Sequence, residues 1–185
     1  MPLNLHRAAG ATLFMGALAA AGSAVASDGT ITFKGAVTAA TCTVSSGPPV
    51  GGPATFTVML PQVSVNALPT VGSQAGRTRF NLFLTGCSAG MSNARVFFES
   101  SPNVDSATFT LRPQVGTAQN VNFALFDGTS GARVMVSAPA SQGTSWINID
   151  PSGNATLPYD VAYQSMGAIV AGNLESSVTY SIEYQ

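Results

Sequence analysis

The side chains that could do chemistry here are few: two cysteines, eight carboxylates and one histidine in 185 residues. The histidine is His6, and it sits in an N-terminal leader. His6 and Arg7 form a short basic region, and residues 11–21 are an apolar stretch too short to cross a bilayer. Ala24-Val-Ala26 is a small-x-small cleavage site. Residues 1–26 therefore read as a secretory signal peptide cut before Ser27. With the leader gone no histidine remains, so neither a Ser-His-Asp nor a Cys-His arrangement can form. The carboxylates are Asp28, Glu99, Asp105, Asp127, Asp150, Asp160, Glu175 and Glu183. None is marked by its setting as half of a glycosidase-like pair. Asp127 and Asp150 stand next to Gly or Pro and read as turn residues. No phosphate loop or metal-ligand cluster appears, so no cofactor, no metal and no enzymatic activity are expected.

Cys42 and Cys87 both lie in the exported part. An even pair in an oxidising compartment is most simply one disulfide. Only 8% of residues are charged, the formal net charge is −1, and there is no basic run. Nucleic acid and anionic membrane surfaces are poor partners for such a chain. Removing 26 of 185 residues leaves 159, enough for one domain with a real core.

The elements that must position these residues are strands. Phe80, Leu82 and Leu84 share one face just before Cys87. Residues 55–60, 94–99, 108–112, 145–149 and 155–163 are further strand candidates. Residues 121–126 and 132–136 flank Asp127-Gly-Thr-Ser-Gly131 as a hairpin. Residues 47–53 carry three prolines and read as a loop. The best helix candidate, residues 63–67, spans barely one turn. Arg77 and Arg79 read as solvated strand-edge residues and Trp146 as core or sandwich rim. Many short strands with regular turn signals predict an all-β sandwich.

Two alternating segments stand at the ends. Val178, Tyr180, Ile182 and Tyr184 alternate with polar residues to within one position of Gln185. Near the other end, Gly29, Ile31, Phe33, Gly35 and Val37 share one face of an extended segment. A strand needing a neighbour and a spare strand in one sequence imply a subunit completed by another molecule.

The motifs together resemble the major structural subunits of chaperone–usher (type 1-like) fimbriae. The resemblance is carried by Gly29-Thr-Ile-Thr-Phe-Lys-Gly-Ala-Val37, by Thr41-Cys-Thr-Val44, and by Phe80-Asn-Leu-Phe-Leu-Thr-Gly-Cys87. Asn122-Phe-Ala-Leu-Phe-Asp-Gly-Thr-Ser-Gly-Ala132, Leu157-Pro-Tyr-Asp-Val-Ala-Tyr163 and the C-terminal Gly172…Tyr184 pattern extend it across the exported chain. The arm ahead of Cys42 is short. With residues 60–68 and 75–80, this is closer to the Bordetella serotype fimbria subunits.

The resemblance implies an incomplete immunoglobulin-like sandwich lacking its last strand. Residues 27–41 would be a donor-strand arm and residues 42–185 the pilin domain. Gly29, Ile31, Phe33, Gly35 and Val37 would fill a neighbour's groove. Gly172, Val178, Tyr180, Ile182 and Tyr184 would form the acceptor groove and assembly motif. The implied partners are identical subunits in a fibre, a periplasmic chaperone, an outer-membrane usher, and an adhesin or adaptor at the tip. The implied place is the cell-surface fimbrium, reached through the periplasm. The function implied is a rod subunit, polymerising by donor-strand exchange, that supports adhesion. Two other classes stand beside it: a minor fimbrial adaptor or adhesin, and a monomeric secreted β-sandwich binding protein. A tip adhesin needs a lectin domain ahead of the pilin domain, and 159 residues leave no room for one.

Overall fold

Alternation of apolar and polar residues becomes, in three dimensions, a set of strands with one dry and one wet face. The computed structural model describes residues 42–46, 52–138 and 141–185. The expected leader and the whole arm, residues 27–41, lie outside them. Twelve strands follow in order: β1 (Thr43–Ser45), β2 (Gln74–Thr85), β3 (Asn93–Phe98), β4 (Val104–Asp105), β5 (Thr110–Leu111), β6 (Val115–Gly116), β7 (Gln119–Asp127), β8 (Arg133–Val134), β9 (Ile147–Asn148), β10 (Ala155–Val170), β11 (Leu174–Glu175) and β12 (Tyr180–Tyr184). One 3-10 turn, Val65–Ala67, begins where the Ser64 hydroxyl accepts the Asn66 N–H.

The main sheet runs β1-β2-β10-β7-β5-β4, with β8 on β7; a smaller sheet runs β12-β3-β9; and β11 pairs β6. Every pairing is antiparallel. The core lies between the two larger sheets. Leu82 and Leu84 of β2, Leu157 and Tyr159 of β10, and Val96 and Phe98 of β3 are all buried in it. The face expected for Phe80, Leu82 and Leu84 is the face observed, and the strand expected over 94–99 is β3. Tyr159 is the keystone between the sheets. Its ring stands edge-on to Phe98 at 5.2 Å, and its hydroxyl accepts the Val96 N–H at 3.2 Å.

Several elements differ from the expectation. The strand expected over 108–112 shrinks to β5, because Asp105 Oδ1 accepts the N–H groups of Ala107 and Thr108 and folds that stretch into a turn. The alternation that begins at Val178 becomes a strand only from Tyr180, as β12; ahead of it Ser176 and Ser177 bond to Arg112 and Gln114, and Leu174–Glu175 form the separate β11. Residues 55–60 form no ladder at all among the described residues. Arg77 and Arg79 lie on the part of β2 that β1 does not reach, since β1 pairs only Phe83–Thr85, and they are half exposed but not free. Both bond the buried carboxylate of Asp160 on β10, Arg77 at 3.1 Å. Arg77 also stacks its guanidinium 4.2 Å from the Phe126 ring centre. Burial pushes the Asp160 carboxyl up, but the hydrogen bonds and charge of Arg79 and Arg77 outweigh it and hold the group below its ordinary range.

Candidate functional site

The site is an unfinished edge. β12 pairs β3 with Tyr180 opposite Phe98 and Tyr184 opposite Ala94. Among the described residues no strand pairs its other edge. A buried or apolar strand edge with unpaired N–H and C=O groups is a template for another strand.

The two faces of β12 differ as its alternation requires. Ser181 and Glu183 face outward. The Ser181 hydroxyl donates to Glu99 at 2.7 Å, and Arg95 Nε donates to Glu183 at 2.6 Å. Arg95 in turn lies 4.4 Å over Trp146, which is exposed at the sandwich rim. Tyr180, Ile182 and Tyr184 face inward with Val178 just before them, and all four pack on the core while remaining partly exposed. Their counterparts on β3 are fully buried. Among the described residues, then, this core strand lacks cover along one side.

The opposite rim is residues 54–61. This segment is extended, with Phe56, Val58 and Leu60 turned to the core and Thr57, Met59 and Pro61 exposed. An open cleft of about 520 Å³ lined by Ser46, Phe56, Val58, Phe80 and Phe83 lies between it and β2, and no ladder pairs it to the main sheet among the described residues. Phe56 still touches Phe80, with ring centres 6.1 Å apart. β1 is tied to β2 through Thr43 opposite Thr85.

Two tyrosines span from β12 to this first part of the chain. The Tyr180 hydroxyl donates to the Ala54 carbonyl at 2.7 Å. The Tyr184 hydroxyl accepts the Cys42 backbone N–H. Burial pushes both phenols up from their ordinary value, and the Cys42 amide draws Tyr184 part of the way back. Both stay neutral at physiological pH and act as hydrogen-bonding struts. The Cys42–Cys87 disulfide anchors the same corner, with Cα atoms 4.1 Å apart.

The structure therefore gathers Val178, Tyr180, Ile182 and Tyr184 along one rim and the cysteines at its upper end. Gly172 is not with them. It lies beyond β10, where an added Cβ would come within 2.4 Å of Thr117 Oγ1 and 2.5 Å of the Ala118 nitrogen. Its lack of a side chain answers a close approach inside the chain. The donor positions Gly29, Ile31, Phe33, Gly35 and Val37 lie outside the described residues. The second rim was missed as a rim: the 55–60 alternation was legible, but nothing in it distinguishes a strand with partners from one without. No group of three or more potential metal ligands occurs among the described residues, and none of their helices is long and apolar enough to cross a membrane.

Residues 60–185 match the family model described as "FimA: Type-1 fimbrial protein, A". The chain is similar to the major fimbrial subunit SMF-1 of Stenotrophomonas maltophilia, 39% identical over 167 residues, covering 88% of this chain and 95% of that protein. It is also 38% identical over 113 residues to the serotype 2 fimbrial subunit of Bordetella pertussis, covering 60% of this chain and 54% of the relative. In fold it is similar to the P pilus rod subunit PapA, with a TM-score of 0.59 at 16% identity, covering 78% of this chain and 99% of PapA.

Proposed function

The chain belongs to the type-1 fimbrial protein family, and on that premise we propose that it is a rod subunit that polymerises by donor-strand exchange. It is a structural subunit of the cell-surface fimbrium, not a catalyst. The observation that carries the reading is the pair of unpaired rims: β12 on one side, residues 54–61 on the other, with half-buried apolar side chains between them. A strand laid there would add a ladder to β12 and cover Val178, Tyr180, Ile182 and Tyr184.

Residues 29–37 of a second copy are the occupant. Ile31, Phe33 and Val37 fall on one face, and burying three such side chains contributes roughly 5–9 kcal/mol. The main-chain ladder fixes register in addition. Gly35 falls where a side chain would not fit or where exchange begins. Before assembly, a periplasmic chaperone lends the missing strand, and the outer-membrane usher hands the subunit to its neighbour. An adaptor or adhesin at the tip completes the set of partners. The rod so formed supports adhesion.

The test is the assembled material. Fibres sheared from cells and run on a gel without boiling should give a ladder of masses spaced by one subunit, collapsing to a single band only after prolonged heating in denaturant. A single monomer band in unheated samples, from a chain that is folded without a helper, would refute polymerisation.

A further inference from the structure

We propose that the cavity where β5 and β7 part is a binding site for a neutral saccharide residue, carried by the subunit itself. None of its lining residues belongs to β12 or to residues 54–61, so this goes beyond the donor-strand reading and does not rest on it.

The cavity exists because two strands separate. β5 meets β7 only at Leu111 opposite Phe123. Past that point the chain leaves the sheet. Pro113 has no N–H to give a ladder, the Gln114 N–H donates to the Glu175 carbonyl, and Val115–Gly116 pair with β11 as β6. On the other wall Asn120 takes a φ of 59°, and its amide donates to the Ala168 carbonyl at 2.6 Å. Asparagine tolerates this left-handed backbone better than most residues. β10 shifts register between Ser165 and Val170, and Met166 within that shift lines the same cavity. Both walls are thus fixed by bonds within the chain. The space between them is about 320 Å³, near the lower end for small-ligand pockets.

The free hydrogen-bonding groups divide between the two walls. Arg112 uses Nε and Nη2 on Asp105 Oδ2, at 3.2 and 3.1 Å, which leaves Nη1 to donate. The Gln114 oxygen accepts the Ser177 N–H and hydroxyl, which leaves its NH2. Across the gap, the Asn120 and Asn122 amide nitrogens are taken by the Ala168 carbonyl and Thr110 Oγ1, which leaves two oxygens to accept. A hydroxyl donates and accepts at once, so neighbouring hydroxyls on one ring can serve both walls.

A buried acceptor beside the cavity is also short of a donor. Gln164 stands opposite Asn122 and is 4% exposed. Its Nε2 lies 3.8 Å from Met166 Sδ, and its Oε1 has no partner among the described residues. Buried polar groups are paired as a rule. A hydroxyl entering beside Met166 supplies the missing donor.

Charge narrows the class. Arg112 and Asp105 are the only charged residues lining the cavity, and they cancel. Burial pushes the Asp105 carboxyl up, but N–H bonds from Thr108 and Ala107 and the Arg112 bond outweigh it, so the group stays ionised at neutral pH. An anion meets a cation that is already paired. Met166 and Pro113 offer apolar contact to the C–H edges of a ring. A neutral, polyhydroxylated ring fits all of these groups.

The experiment is saturation-transfer difference NMR on material sheared from cells. The probes are the methyl glycosides of glucose, galactose, mannose and N-acetylglucosamine, with sialic acid and galactose 6-sulfate as charged comparators. At least one neutral glycoside should receive saturation, and more than either comparator. Arg112→Met keeps the stem and removes the fork; it should lower the transfer about fivefold or more, the effect of one or two lost hydrogen bonds. Trp146→Leu removes the exposed aromatic on which a sugar could stack elsewhere, and should leave the transfer unchanged. On the unsubstituted chain, a diazirine derivative of the responding glycoside should label residues 112–122 or Met166. No transfer to any neutral glycoside, equal transfer in Arg112→Met material, loss in Trp146→Leu material, stronger transfer to a comparator, or labels confined to other residues would each overturn the site. The heat-resistant ladder, read on the same samples, reports on the donor-strand reading and not on this cavity.

Discussion

Replacing Asp127 by asparagine should destabilise the domain by about 3 kcal/mol, although the two side chains have nearly the same shape. Asp127 is 2% exposed. Its Oδ1 accepts the N–H groups of Thr129 and Ser130 at 3.1 and 2.7 Å and the hydroxyls of Ser130 and Ser145 at 2.8 and 2.9 Å. Its Oδ2 accepts the Ser145 N–H at 2.8 Å. An amide can keep one oxygen only, so one cluster of donors would face an NH2 group. An unsatisfied buried donor costs about 1–3 kcal/mol, and each surviving bond falls from charge-assisted to neutral strength. The effects are not additive, hence a total near 3 and not a sum over five bonds.

The assay is urea unfolding of a chain carrying residues 29–37 fused after Gln185, which supplies the missing strand in cis. With a slope of roughly 1.5–2 kcal/mol/M, the midpoint should fall by about 1.5–2 M. The pH dependence gives an independent check. Burial raises the Asp127 carboxyl, but the bonds from Ser130 and Ser145 outweigh it and leave it below its ordinary value near 3.8. A depressed carboxyl contributes stability that is fully present above the unfolded value and is lost as pH falls from there through the folded value. The parent chain should lose stability over that acid window, and the Asp127→Asn chain should lose less. A cost below 1 kcal/mol, or identical acid profiles, would refute the reasoning.

Other perturbations probe the same framework. Cys42→Ser/Cys87→Ser opens a loop of 45-residue separation, worth roughly 4 kcal/mol in the chain-entropy treatment; calorimetry of the same fused chain should show a correspondingly lower melting temperature, and an unchanged one would remove the disulfide from the account. Gly172→Ala forces a Cβ against Thr117 and Ala118, so about 1–3 kcal/mol of overpacking should appear as faster hydrogen exchange in residues 115–118 and 173–175. Gly35→Leu should block fibre assembly while the subunit still reaches the periplasm, as read by fractionation and electron microscopy; normal fibres would contradict the donor register.

The elements most legible in the sequence were those whose environment is local. Phe80, Leu82 and Leu84 announced their buried face because alternation records which side is dry. The cysteine pair announced itself through number and compartment. The Tyr180, Ile182 and Tyr184 alternation placed a strand at the chain end. What stayed hidden depends on partners far away in the chain. Arg77 and Arg79 looked solvated, and their bonds to Asp160, across 83 and 81 positions, follow from a sheet register that no local pattern encodes. Residues 55–60 have the alternation of a paired strand, yet their ladder partner is absent among the described residues. Gly172 looked like part of the terminal strand pattern because spacing shows order along the chain, not the close approach of Thr117.

The most direct measurement concerns the arm itself. Residues 42–185 should be prepared alone, without helper proteins, and followed by near-ultraviolet circular dichroism while a peptide of residues 29–37 is added. The account predicts a chain without fixed tertiary packing that becomes ordered at one peptide per chain, with an Ile31→Ser/Phe33→Ser peptide inactive. A cooperative, fully ordered monomer before any peptide is added would contradict it.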